Sequence, residues 1–212
     1  YEAERQPITE QVSHFAMDHA QKMIKARSAV PPNIEAMDAA GEAERRRIGD
    51  EAYQLNVQQF CCAGLNFGYF YRGSPIIAPD DEAPPPYTMG GFTPSTVPGC
   101  RVPHFWLADG RSLYDAFGPG YTLLVTRRGV ATGALAEAAA RAGVPLQVLD
   151  IAAEAHRPDT YTHALLLCRP DQHVVWRGQA LPVDAEALVA MLRGARVQGS
   201  QAAPQAIETQ AA

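Results

Sequence analysis

Apolar side chains recur at Ile8, Val12, Phe15 and Met23 with glutamate and lysine on the other side, which predicts an amphipathic helix from Tyr1 to about Ala26 that wants a partner. Pro31-Pro32 stops it. Asn33 is placed to cap a second helix through Ile34 and Met37, Gly41 interrupts, and a further helical stretch runs from Asp50 to Phe60. Within Glu42-Ala43-Glu44-Arg45-Arg46-Arg47 opposite charges stand three and four residues apart, the signature of a solvated, self-paired face. A helical region of this size buries little by itself.

The texture then changes. Leu65, Phe67, Tyr69 and Tyr71 alternate with Asn66, Gly68, Phe70 and Arg72, a strand period ending at Gly73-Ser74-Pro75. Asp80-Asp81-Glu82, Pro84-Pro85-Pro86, Gly90-Gly91 and Pro98-Gly99 follow, and a stretch so rich in proline, glycine and acid reads as a linker or surface loop.

The region from Arg101 to about Arg196 is the most regular. His104 to Leu107 and Arg111 to Tyr114 flank Asp109-Gly110 as a β-hairpin, and Tyr121 to Val125 is a buried strand. Thr132 to Ala142 is an alanine-rich helix ended by Gly143, followed by a strand from Leu146 to Leu149. Thr162 to Cys168 and His173 to Trp176 form a second hairpin around Arg169-Pro170-Asp171-Gln172, and Asp184 to Leu192 is the last helix. The order β-β-β-α-β-β-β-α predicts an α/β sandwich resembling the thioredoxin-like fold, without the C-x-x-C motif.

Composition narrows the classes of function. The 212 residues carry a formal charge of −5, which argues against a cationic nucleic-acid surface. No apolar run approaches the roughly 20 residues of a membrane helix, so a soluble chain is expected. Cys61, Cys62, Cys100 and Cys168 form no C-x-x-C pair, and neither a disulfide framework nor a zinc site is signalled. Reduced thiols and the lack of a basic, apolar leader point to the cytoplasm. The chain opens on Tyr1, already in helical register, and the expectation is that a segment preceding it has been left out.

The candidate chemistry is sparse. A thioredoxin-like redox enzyme places its nucleophile where the first central strand meets its helix, and that position reads Thr126-Arg127-Arg128-Gly129-Val130, with neither cysteine nor serine. Cys168, at a strand end, reads as a packed thiol. Gly118-Pro119-Gly120 has Leu123 where a dinucleotide fingerprint needs its third glycine and precedes a strand, so it reads as a turn. Among His14, His19, His104, His156, His163 and His173 no two stand four residues apart. His104, beside Phe105 and Trp106, reads as a structural hydrogen-bonding residue, and Tyr69 and Tyr71 as packed aromatics. The expected sets of catalytic, cofactor-binding and metal-ligating residues are all empty.

Pro98-Gly99-Cys100-Arg101-Val102-Pro103-His104-Phe105-Trp106-Leu107, continuing through Asp109-Gly110-Arg111-Ser112-Leu113-Tyr114-Asp115 to Phe117-Gly118 and Tyr121 to Leu124, resembles the C-terminal domain of FAD-dependent aromatic-ring hydroxylases. These are the class A flavoprotein monooxygenases acting on phenol, chlorophenol, hydroxyphenylpropionate and polyketides. Arg169 to Gly178 is similar to that domain's closing hairpin, Tyr1 to Arg5 with Pro7 to the helix after the family's glycine–aspartate flavin motif, and Gly64 to Pro75 to the strand leading out of the flavin and substrate domains. The resemblance implies an oxidoreductase that uses FAD, NAD(P)H and O2, with its flavin motifs upstream of Tyr1, and no cofactor bound by this chain alone. It implies a missing N-terminal FAD and substrate domain as partner, homo-oligomeric assembly of the full-length protein, and a structural or subunit-contact role for this fragment.

The expected organisation is a helical segment over 1–62, a strand and Pro/Gly-rich linker over 63–97, a thioredoxin-like domain over 98–197 and a disordered tail over 198–212. The alternative is a stand-alone, redox-inactive thioredoxin-like binding or assembly module.

Overall fold

The computed structural model describes residues 1–78 and 80–195, and the tail expected over 198–212 lies outside them. Its elements fall into two units, Tyr1–Tyr69 with Pro86–Thr93, and Phe70–Pro85 with the chain from Pro94 onward. The segment read as a linker is therefore shared between both.

Unit 1 is built on two helices, α1 (Glu2–Ser28) and α2 (Ala39–Phe60). Ile8, Val12, Phe15 and Met23 of α1 are half-buried, as their spacing requires. Buried His19 stacks on Phe15 with ring centroids 5.9 Å apart and hydrogen-bonds Gln59 of α2. The helix expected from Asn33 through Met37 is instead a pair of turns, and Gly41 does not interrupt. Asp38, not Asn33, is the N-cap: its carboxylate accepts from the Gly41 N–H at 2.8 Å, in the first turn of one continuous α2. Arg45 reaches back from α2 to donate to the carbonyls of Ile34 and Ala36 at 2.9 and 2.8 Å, which holds the turns in place.

The strand expected over Leu65–Tyr71 is also corrected. Gly64–Gly68 is a single π-helical turn, and the extended backbone resumes only at Tyr69, with one bridge from Phe70 to Cys100. The cause is a close backbone approach that the alternating pattern does not encode. A Cβ on Gly64 would lie 1.7 Å from the Thr88 carbonyl oxygen, and Leu65 N–H donates to Met89 O at 3.2 Å.

Unit 2 holds a four-stranded sheet of β1 (Tyr121–Val125), β2 (Leu146–Asp150), β3 (Leu165–Cys168) and β4 (Val174–Gly178) in the order β2-β1-β3-β4. The helix α3 (Gly133–Arg141) makes the crossover from β1 to parallel β2, while β1/β3 and β3/β4 are antiparallel. The last helix is α4 (Ala185–Leu192), capped by Asp184 and packed against α3. Central β3 is buried along its whole length. Leu166 and Cys168 join Val102, Phe105, Leu113, Leu124 and Val174 in one apolar cluster, which leaves Leu165 and Leu167 for the opposite face. The hairpin expected over His104–Tyr114 is reduced to one bridge, Trp106 to Ser112, with Leu107 N–H donating to Arg111 O at 2.9 Å. Beyond it the chain leaves extended geometry for a 3-10 turn, Tyr114–Ala116. The regular order is thus β-α-β-β-β-α. Among the described residues no helix is long and apolar enough to cross a membrane.

Candidate functional site

The polar chemistry of unit 2 gathers around the β3–β4 hairpin. Arg169 donates to Asp171 at 2.5 and 3.1 Å, while the fully buried His173 ring meets the Asp171 carbonyl at 3.0 Å through Nδ1. Burial of the Asp171 carboxyl opposes its ionisation, but hydrogen bonds and charge from His173 and Arg169 outweigh this and hold it well below the usual carboxylate range. Tyr71 covers the group, its ring 4.4 Å from that of His173 and 5.0 Å from the Arg169 guanidinium.

Between them Gln172 adopts φ 70°, a left-handed conformation unusual for a residue other than glycine. It is held on three sides. Its N–H donates to Arg169 O and its carbonyl accepts from Val102 N–H, each at 2.9 Å, and its side-chain oxygen accepts from Arg101 Nε at 2.8 Å. Two of these bonds tie the turn to the 101–102 segment and the third closes the turn on itself, so the arrangement works as a fastener.

A second polar group surrounds Arg177 of β4, whose side chain is 3% exposed. Its Nε and Nη2 donate to Asp80 and Glu82 at 2.5 Å each, and Nη1 donates to Thr96 Oγ1 at 3.1 Å. Burial, followed by the Arg177 charge, lowers the pKa of nearby His163. On the surface, His104 Nε2 lies 2.9 Å from Ser112 Oγ, with Trp106 and Tyr114 edge-on to the imidazole.

The two buried thiols, Cys100 and Cys168, are not activated. Burial pushes the Cys100 thiol up to about 11, and fully buried Cys168 is pushed higher still, so both are thiols near neutral pH. The turn from β1 to α3, where a thioredoxin-type nucleophile would stand, carries exposed Arg127 and Arg128. Among the described residues no group of three or more His, Cys, Asp or Glu side chains is placed to hold a metal ion.

A flavin dinucleotide needs glycines that let its phosphates approach the backbone. Gly118 and Gly120 do not fit that role, because their own chain fills the space. A Cβ on Gly120 would lie 2.4 Å from Pro145 O, and one on Gly118 would lie 2.7 Å from Gln147 Oε1. Both glycines serve the packing of β1 against β2, and no cofactor step can be assigned to them.

Residue patterns alone did not single out Arg177 or the Arg169–Asp171–His173 group. A lone arginine inside the apolar run Val174-Val175-Trp176-Arg177 was the available signal, since a charge in a buried strand must find a partner.

Residues 95–196 match a family model described as aromatic-ring hydroxylase, C-terminal. The FAD-dependent monooxygenase opdD of Penicillium oxalicum is 33% identical over 203 residues, covering 92% of this chain and 38% of its own length. Phenol 2-monooxygenase of a Pseudomonas species is 31% identical over 72% of this chain and 27% of its own. Among solved structures, RebC with bound 7-carboxy-K252c superposes with a TM-score of 0.78 at 32% identity, over 92% of this chain and 37% of RebC. The flavin-dependent monooxygenase PieE, in complex with FAD and substrate, gives 0.63 at 25% identity. The chain thus spans little more than a third of the length of opdD and RebC.

Proposed function

The chain belongs, through residues 95–196, to the aromatic-ring hydroxylase C-terminal family, and on that premise we propose that it serves as the scaffold portion of an FAD-dependent monooxygenase that hydroxylates phenolic or polyketide rings. FAD, NAD(P)H and O2 belong to the whole enzyme and bind through a flavin and substrate domain outside this chain. The hard chemistry is then the cofactor's, and the protein's part is binding, orientation and assembly. Unit 2 is read as a thioredoxin-like domain kept as scaffold for subunit contacts in a cytoplasmic homo-oligomer. The parallel β1–α3–β2 crossover followed by the β3–β4 hairpin and α4 supports that reading.

The single observation that carries the proposal is the 92% coverage of this chain by opdD and RebC, each of which extends well beyond the shared part. Two preparations test it. The purified chain should carry no FAD through gel filtration and should not consume NADPH in the presence of a phenol. A chimera of opdD with this chain in place of its matching stretch should remain yellow and folded. An isolated chain that retains flavin and oxidises NADPH with a phenol would refute the scaffold role.

A further inference from the structure

The acidic run Asp80-Asp81-Glu82 belongs to a segment whose composition reads as linker, yet two of its carboxylates converge on one buried guanidinium nearly a hundred residues away. Arg177 is anchored differently on its two sides. Thr96, itself buried, accepts from Nη1 and passes a hydrogen bond to Thr160 O at 3.0 Å, which makes a fixed post. The other two contacts come from the strap. Alongside them, Ala78 N–H donates to Val175 O at 2.8 Å, pairing the strap's backbone with edge strand β4 two residues before the arginine.

The two carboxylates differ in exposure, with Asp80 at 27% and Glu82 at 63% of the side chain. A charge pair facing water is screened by salt, and one closed off from water is screened far less. We infer that Asp80 and Glu82 form an ionic latch on Arg177 that clips the acidic strap to β4 and lets go stepwise, Glu82 before Asp80, as ionic strength rises. The device does not depend on the identity of the enzyme, because every group in it lies within unit 2. It holds Asp80 and Glu82 beside β4, and it explains how a Pro-rich, acidic segment keeps a backbone hydrogen bond to a sheet edge.

Amide hydrogen exchange on the full chain tests this, with Ala78 as reporter and Leu123 and Leu166 as controls in the sheet. The Asp80→Asn/Glu82→Gln double variant should accelerate Ala78 exchange by about tenfold or more while the controls keep wild-type rates. Glu82→Gln alone should have the smaller effect and Asp80→Asn the larger. In wild type, raising salt to about 1 M, where the Debye length is about 3 Å, should accelerate Ala78 partway toward the double variant. Arg177→Met should release the strap with no remaining salt dependence. Ala78 exchange in the double variant within about twofold of wild type, equal acceleration of Ala78 and Leu166, or a larger effect from Glu82→Gln than from Asp80→Asn would each overturn the latch.

Discussion

Unit 2 closes over Leu123, Leu124, Leu165, Leu166 and Leu167 at essentially no exposure, whereas the buried residues of unit 1, among those described, are His19, Gly41 and Gly64. All four helices carry apolar residues at helical spacing, but α3 and α4 concentrate theirs on one face far more strongly than α1 and α2 do. The contrast also lies in what each face meets. Helix α3 packs on β2 and on α4, and each fully covered leucine of unit 2 contributes about 1.5–3 kcal/mol relative to exposure. Helices α1 and α2 face mainly each other. Their stripe is only half-covered, and Met17 and Ile24 of α1 and Tyr53 and Phe60 of α2 are exposed. Cooperative stability therefore resides in unit 2, and a helical period is a requirement for burial, not evidence of it.

Leu166→Ala is the strongest way to break this contrast. It empties a fully buried position at the centre of the sheet and should cost about 3–4 kcal/mol, read as a fall in the urea midpoint of unit 2. A loss under about 1 kcal/mol would mean that the sheet is no better packed than the helices.

Next in size is Asp171→Asn. The native carboxyl titrates below its unfolded value of about 3.9, so its contribution is present above that pH and is lost as pH falls through the folded value. Allowing for a side chain about one-third exposed to solvent, the variant should lose about 1–2 kcal/mol near pH 7. The gap from wild type should stay constant down to about pH 5 and narrow below about pH 4. A gap of the same size at pH 3 and pH 7 would show that the Asp171 charge is not what fastens the turn.

The smallest effect is expected from Met17→Ser on the exposed side of α1, within about 0.5 kcal/mol of wild type by thermal unfolding. A larger loss would reveal that the face of α1 is covered in solution and would erase the contrast from the other side.

Legibility in the sequence followed the same division. In the 121–192 region, strand and helix periods agree with turn chemistry and capping residues, and β1, α3, β2, β3, β4 and α4 lie within a few residues of where the pattern puts them. The errors cluster where long-range contacts override local signals. At 64–68 the approach of the Thr88 carbonyl imposes a π turn on an alternating pattern, and at 33–41 Asp38 takes the cap while Arg45 ties down the preceding turns. The polar groups were the least legible part. Arg169, Asp171 and His173 are adjacent in a turn whose sequence says hairpin, but the Tyr71 cover comes from about a hundred residues away. No local period announces that Arg177 will find its acids at 80 and 82.

At the far side of the sheet, β2 is hydrogen-bonded to β1 on one edge and is the terminal strand of the ladder. An exposed strand edge of this kind is a template for adding another chain, the geometry from which runaway stacking begins. Here the risk is limited by brevity and by charge. The strand lasts five residues and ends on Asp150, whose carboxylate accepts from Ala152 N–H at 2.8 Å and turns the chain out of extended geometry. A visiting strand would find few backbone groups in line and a negative charge at the end of the run, so this edge is a poor template for open-ended strand addition.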